Sequence, residues 1–127
     1  MCFENLYDAA KKVLNPRQIG KHSYAGSVAS ALLTEDGNIY TGVCIDTPAS
    51  MGFCAEHAAI ATMITAGEHR IVKMVSVYKD GTIIAPCGRC REFVSKVHDE
   101  NFRCEVMVEK DTVVTIKDLL PMQWDKK

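Results

Sequence analysis

Residues 54–98 read CAEHAAIATMITAGEHRIVKMVSVYKDGTIIAPCGRCREFVSKVH, and the fold class turns on this stretch. Its first part, residues 54–66, is dominated by Ala, Ile and Met and stops at Gly67, the pattern of a helix with a glycine end. Residues 71–79 are rich in valine and isoleucine and predict a strand. Asp80-Gly81 then turns the chain into residues 82–85, and a second helix over residues 87–98 starts directly after Pro86.

Working outward, residues 28–34 and 38–45 are strand-like, and Glu35-Asp36-Gly37-Asn38 between them carries the Asp-Gly signal of a hairpin. Residues 5–14 place Leu6, Ala9, Ala10, Val13 and Leu14 on one helical face, and Asn15-Pro16 ends that helix. On the other side, residues 102–109 and 112–116 predict two further strands, and Leu119-Leu120-Pro121 closes the domain. The order is α, β, β, α, β, α, β, β. It implies an α/β fold with a mixed five-stranded sheet and helices packed on its faces. Helices that connect strands in this way point their N-termini at one edge of the sheet, where α/β ligand sites form. There is no repeat or linker, which predicts one domain over residues 1–127.

Bulk composition narrows the function classes. The chain has 127 residues, 47% of them apolar and 24% charged, enough for one core. A closed pocket is hard to build within so short a chain, so a site shared between subunits is expected. The net charge is −1 with no basic stripe, which argues against a nucleic-acid partner held through phosphates. The N-terminus lacks a basic start and apolar run, and the longest apolar stretches are too short to span a bilayer; a cytoplasmic protein with no membrane partner is expected. In that compartment the six cysteines read as thiols, with a clustered subset serving a metal or catalysis.

That subset is Cys54-Ala55-Glu56 together with Pro86-Cys87-Gly88-Arg89-Cys90. Alone, Cys87-x-x-Cys90 fits half of a structural zinc site, a redox pair or two core cysteines. Cys54 changes the balance. Three thiolates at two helix N-termini leave one tetrahedral position open on zinc, the arrangement of a catalytic site. Cys2, Cys44 and Cys104 lie in other segments, and His22, His57, His69 and His98 complete no zinc-finger spacing. Glu56 lies on the same helical turn as Cys54, within reach of the open position; the bland alternative is an acid that stabilises a helix start. Three thiolates overcompensate Zn²⁺ by one charge. Two helix N-termini, each worth about +0.5 charge, oppose that excess. Arg89 and Arg91 flank Cys90 and are candidates to donate hydrogen bonds to its sulfur, or else are surface arginines.

With these residues in place the sequence resembles the cytidine deaminase superfamily, over roughly residues 27–124. The resemblance rests on Ser27-Val28-Ala29-Ser30-Ala31-Leu32-Leu33, Gly37-Asn38-Ile39-Tyr40-Thr41-Gly42-Val43, Cys54-Ala55-Glu56, Pro86-Cys87-Gly88-Arg89-Cys90-Arg91-Glu92 and Leu119-Leu120-Pro121. It implies a three-layer α/β/α sandwich and a homotetramer with sites at subunit interfaces. It also implies zinc on Cys54, Cys87 and Cys90, with Glu56 as the proton carrier in a hydrolytic deamination. Ala55 would contact the substrate.

The sugar-binding positions depart from the family pattern. Nucleoside-specific members carry Asn-x-Glu on the second strand, where this chain has Cys44-Ile45-Asp46. Gly26 replaces a Phe, and His57 replaces the Arg that follows Cys-Ala-Glu. The Ser-Val-Ala-Ser-Ala run, Pro-Cys-Gly-Arg-Cys-Arg and the aromatic Trp124 resemble the blasticidin S deaminase branch. By that resemblance Cys44, Asp46 and Trp124 are candidate substrate contacts. Trp124 would stack on the ring, either from a neighbouring subunit or not at all if it packs on its own domain. The expected substrate is cytidine, deoxycytidine or blasticidin S; the alternatives are a non-catalytic zinc-stabilised binding module and a thiol redox protein.

Overall fold

A computed structural model describes residues 2–125. The elements are α1 (Phe3–Val13), β1 (Arg17–Gly20), β2 (Ser23–Thr34), β3 (Ile39–Asp46), α2 (Ala55–Thr65), β4 (Ile71–Tyr78), β5 (Ile83–Ile84), α3 (Gly88–Val97), β6 (Glu105–Glu109) and β7 (Thr112–Thr115). One-turn 3₁₀ segments, Pro48–Ser50 and Asp99–Arg103, precede α2 and β6.

All strands join one sheet, and β2 is its hub. β3 runs antiparallel along one edge of β2, while the other edge carries β1 near Tyr24 and then β4 from Val28 to Thr34. β4 in turn shares its far edge between parallel β6 (Lys73 to Val75) and antiparallel β5 (Ser76 and Val77), and β7 closes on β6. The seven strands therefore occupy the five ranks that the sequence predicts. β1 and β5 are short pieces continuing the ranks of β4 and β6. Among the described residues only the β4–β6 pairing is parallel, so the sheet is mixed and mostly antiparallel.

Period-two alternation on β2 and β4 sorts side chains to the two faces. Ala29, Ala31, Leu33, Val75 and Val77 pack under Leu6 and Ala10 of α1. Leu32 and Met74 face the opposite way, into a core with Ala59, Ile60 and Met63 of α2 and Val94 of α3. The molecule is an α/β/α sandwich. Its helices agree with the predicted ones to within two residues at each end, although Val13 of the predicted α1 stripe is exposed.

Two boundaries differ for physical reasons. The central strand begins at Ser23 instead of Val28, because a bulge between Ala25 and Ala29 breaks the alternation. Gly26 sits in that bulge at φ +84, with Asn15's carbonyl oxygen 2.1 Å from where a Cβ would stand. Residues 102 and 103 belong to the 3₁₀ turn and not to a strand. That turn buries Asn101, whose Oδ1 accepts from Ile71 N (2.8 Å) and whose Nδ2 donates to the carbonyls of His69 and Val94 (3.0 and 3.1 Å). Leu119 and Leu120 pack partly buried against the α2/α3 core.

One contact fixes the placement of α2. Gly42 of β3 lies directly under that helix: a Cβ there would meet Ala59 N at 2.4 Å and Ala58 C at 2.6 Å. The absent side chain lets backbone approach backbone. Because α2 begins one turn before these alanines, Gly42 sets the height of its N-terminus above the sheet.

Candidate metal centre

Cys54 is the N-cap of α2 and Cys87 the N-cap of α3, both extended, with Cys90 in the first turn of α3. The two helices lie on one face of the sheet and start beside each other. Cys54 Sγ is 3.5 Å from Cys87 Sγ, and Cys87 Sγ is 3.4 Å from Cys90 Sγ. All three sulfurs lie within 4.8 Å of one another, and among the described residues this is the group of side chains able to hold a metal ion. Tetrahedral zinc with sulfurs about 2.3 Å away requires sulfur–sulfur separations of about 3.8 Å, so the triangle is nearly the right size.

The electrostatics fit a cation at the focus. Burial, followed by the charge of Glu56 and the neighbouring thiols, pushes the Cys90 thiol far above its ordinary value. Burial and the Cys87 thiol also raise Cys54. Burial works the same way on Cys87, but the backbone N–H of Cys90 and the other two thiols outweigh it and hold Cys87 below the ordinary value. A divalent ion at the centre would deprotonate all three.

Glu56 is 4% exposed, on the first turn of α2. Its Oε2 accepts a 2.9 Å hydrogen bond from Ser76 Oγ of β4, and the carboxylate also lies within hydrogen-bond reach of the Cys90 thiol. Burial is the largest influence on it and raises its pKa, against its own backbone N–H, Ser76 and Cys90. The carboxyl is thus held between the sheet and the sulfur cluster.

A cleft of about 460 Å³ opens over these groups, with Cys54, Glu56 and Cys87 at its base. Its walls include Ala55, Cys44, Asp46 and Arg89, so seven of the residues singled out in the sequence are brought to the same cavity. Cys44 is buried there: Val28 N–H reaches its sulfur at 3.3 Å, Ser27 Oγ lies 3.4 Å away, and its thiol donates to Asp46 Oδ2 at 3.8 Å. Arg91 lies elsewhere. Its Nε donates to the carbonyl of Pro86 at 2.8 Å and so fixes the loop entering Cys87.

Trp124 is placed outside this cleft, on the outer side of α3. Its indole N–H donates to Glu92 Oε1 at 2.6 Å, Gln123 holds the other carboxylate oxygen at 2.7 Å, and Lys96 lies over the ring at 4.9 Å. The ring remains 75% exposed. His57 is an aromatic spacer: it stacks on Phe93 with centroids 4.0 Å apart and faces Phe53 at 6.0 Å. Burial, then the charge of Arg89, lowers its pKa, which disfavours the positively charged ring.

Sequence reading missed Ser27, Thr47, Ser50 and Phe53 as cleft residues. The available signal was position, since all but Ser27 lie in the short connection entering Cys54. Thr47 Oγ1 is buried without a hydrogen-bond partner, and Ala49 and Ser50 both hold a left-handed backbone at φ 59. Strain of that kind persists where surrounding structure enforces it, commonly at functional sites.

The family profile described as cytidine and deoxycytidylate deaminase zinc-binding region matches residues 3–106. A cytidine deaminase of Mycobacterium tuberculosis is 31% identical over 67 residues, 52% of this chain and 50% of that protein, so the chain spans about half the length of that curated relative. A blasticidin-S deaminase of Bacillus cereus is 28% identical over 127 residues, covering 93% of this chain and 88% of its own. The crystal structure of cytidine deaminase from Mycobacterium leprae superposes with a TM-score of 0.80 at 26% identity, over 95% of this chain and 98% of that one.

Proposed function

The chain belongs to the cytidine and deoxycytidylate deaminase family, and on that premise we propose that it hydrolyses the exocyclic amine of a cytosine ring, giving the uracil form and ammonia. The observation that carries this reading is the convergence of three sulfurs at two helix N-termini, with Cys54, Cys87 and the buried carboxyl of Glu56 lining one cleft and Cys90 buried beside them. Cys54, Cys87 and Cys90 hold zinc, which when bound supplies an activated water to the ring.

The protein's own groups move the protons. Glu56 accepts a proton from the attacking water and delivers it to ring N3, then takes the second proton from the hydroxyl now on C4 and delivers it to the departing amine; ring and water enter, the uracil form and ammonia leave. A buried carboxyl with raised proton affinity suits that task, because it must carry a proton for part of the cycle. Arg89, at the cleft wall beside Cys54 and Cys87, offsets the surplus negative charge of three thiolates. Arg91 acts one step further out, by holding the Pro86 carbonyl. Ala55, Cys44 and Asp46 contact the substrate, with Ser27, Thr47 and Ser50 offering hydroxyls toward whatever the ring carries.

The finer assignments belong to the same proposal: a cytoplasmic homotetramer with sites completed at subunit interfaces, acting on a small cytosine nucleoside or analogue. Support comes from the aromatic ring of Trp124, anchored to Glu92 and exposed outside its own chain's cleft, and from a cleft left open within one chain. No helix among the described residues is long and apolar enough to cross a membrane. The blasticidin-S deaminase relative, which covers most of both chains, favours the antibiotic as a second candidate substrate.

A panel of cytosine, cytidine, deoxycytidine, blasticidin S and adenosine, each assayed for ammonia release with zinc-loaded protein, tests the reading. Release from at least one cytosine compound and none from adenosine is expected. Zinc-loaded protein that binds these compounds and releases no ammonia would make it a binding module instead.

A further inference from the structure

Two buried serines beneath Glu56 are unexplained by the fold. Ser30 of β2 and Ser76 of β4 are direct cross-strand partners in the centre of the sheet, 0% and 2% exposed. They point to the α2 side, as do Leu32 and Met74 two residues away on the same strands, which are core. A hydroxyl buried there costs free energy unless it is hydrogen-bonded, and a small apolar residue would meet no such cost. Their partners show what they serve. Ser76 Oγ lies 2.9 Å from Glu56 Oε2 and 3.3 Å from Ser30 Oγ, and Ser30 Oγ donates to the Val75 carbonyl at 3.2 Å.

We infer that Ser76, backed by Ser30, is a positioning residue for Glu56: it ties the carboxyl to the rigid centre of the sheet and orients it toward the sulfur cluster. The inference rests on the deaminase reading and adds to it a residue that touches neither substrate nor metal ligand.

Hydrogen counting shows why a hydroxyl suits this place. Ser30 commits its one hydrogen to Val75, a carbonyl that can only accept, so its oxygen is left to receive. Ser76 has one hydrogen and two acceptors in reach, Glu56 Oε2 and Ser30 Oγ. While the carboxylate holds no proton, Ser76 donates to it. When Glu56 carries one on Oε2, Glu56 donates to Ser76, and the Ser76 hydrogen turns to Ser30. Every group is satisfied in both arrangements, with no heavy atom moved. A carboxyl that gains and loses a proton in each cycle thereby keeps one orientation throughout. Alanine at position 76 would remove the tie and leave Glu56 free to change rotamer.

The test is steady-state kinetics on zinc-loaded Ser76→Ala, Ser76→Thr, Ser30→Ala and Ser76→Ala/Ser30→Ala, using the cytosine compound that the unaltered protein turns over. Ser76→Ala should lower kcat about tenfold, the size of a lost hydrogen bond to a charged group, with KM within about twofold and zinc content unchanged. Ser76→Thr keeps the hydroxyl on a strand that favours β-branching and should recover most of kcat. Ser30→Ala should cost about threefold alone and nothing further in the Ser76→Ala background, because it acts through Ser76. That cycle decides even if threonine fails to fit. Ser76→Ala with unchanged kcat, or with zinc lost in step with kcat, would overturn the inference while leaving the deaminase reading intact. Absence of turnover in the unaltered protein would remove both.

Discussion

Replacing Gly42 with Ala inserts one methyl group between β3 and α2, at a residue that does not line the cleft. The new Cβ would lie 2.4 Å from Ala59 N and 2.6 Å from Ala58 C, where 3.4 Å is ordinary contact. The obstacle is helix backbone, not a side chain that can rotate, so α2 must rise by about 1 Å or the strand must sink, at roughly 1–3 kcal/mol of overpacking. Cys54 and Glu56 ride on α2, whose backbone is what the new Cβ would meet, whereas Cys87 and Cys90 ride on α3. The Cys54–Cys87 separation would open from 3.5 Å to as much as about 4.5 Å, beyond the roughly 3.8 Å that tetrahedral zinc accepts. We expect Gly42→Ala to give up zinc to a chelator that leaves the unaltered protein loaded. Freshly loaded variant should turn over about a hundredfold more slowly, the usual cost of a 1 Å misplacement. Zinc retention is read by metal analysis after dialysis, and turnover by ammonia release. Full retention together with unaltered turnover would show that the glycine contact does not set the height of α2.

Removing the side chain of Asn101 should destabilise the fold by about 3 kcal/mol, since Asn101→Ala orphans Ile71 N–H and two carbonyls at once. Urea denaturation should show a lower midpoint at constant slope. Cys104, buried in the α2/α3 core, is pushed up to about 12 by burial, against the nearby positive charge of Arg70. A raised folded value means that its contribution to stability is full below the ordinary thiol value of 9.0 and is lost as pH rises through about 12. The stability difference between the unaltered protein and Cys104→Ala should therefore shrink above pH 9, and native protein at pH 8 should resist labelling at Cys104 by a thiol reagent. Arg91→Ala frees the Pro86 carbonyl and should weaken zinc retention severalfold without lowering turnover of the loaded protein; an unchanged affinity would assign Arg91 no part in holding the loop.

What was legible in the sequence is what is local along the chain. Cys54-Ala55-Glu56 and Cys87-x-x-Cys90 each place their donors within one helical turn, so the spacing alone predicts the two N-termini and the three sulfurs. The five ranks of the sheet were legible for the same reason, as apolar runs bounded by turns. β1 was not: all four of its residues are exposed, so no burial pattern marks it. β5 is two residues long. The bulge at Gly26 hid the first five of the twelve residues of β2, because a glycine at positive φ reads as a break. Most obscure was Ser30–Ser76–Glu56. Serine reads as a surface residue, and the partners come from three elements that meet only when the sheet and α2 are assembled. Trp124 illustrates the same limit, since its anchor, Glu92, lies on α3 and its position could be learned only from the fold.

The central claim is that the three cysteines hold the metal while Glu56 moves the protons, and Glu56→Gln separates the two roles. Glutamine keeps the size of the side chain and can still meet Ser76, but it cannot shuttle a proton. The measurement is zinc stoichiometry and ammonia release on one purified sample of Glu56→Gln, with the best substrate of the unaltered protein. The account predicts one zinc per chain, as in the unaltered protein, with turnover reduced by at least about a hundredfold. Ammonia release at the unaltered rate would contradict the assignment of Glu56, and with it the reading of the cleft as a deaminase site built around that carboxyl.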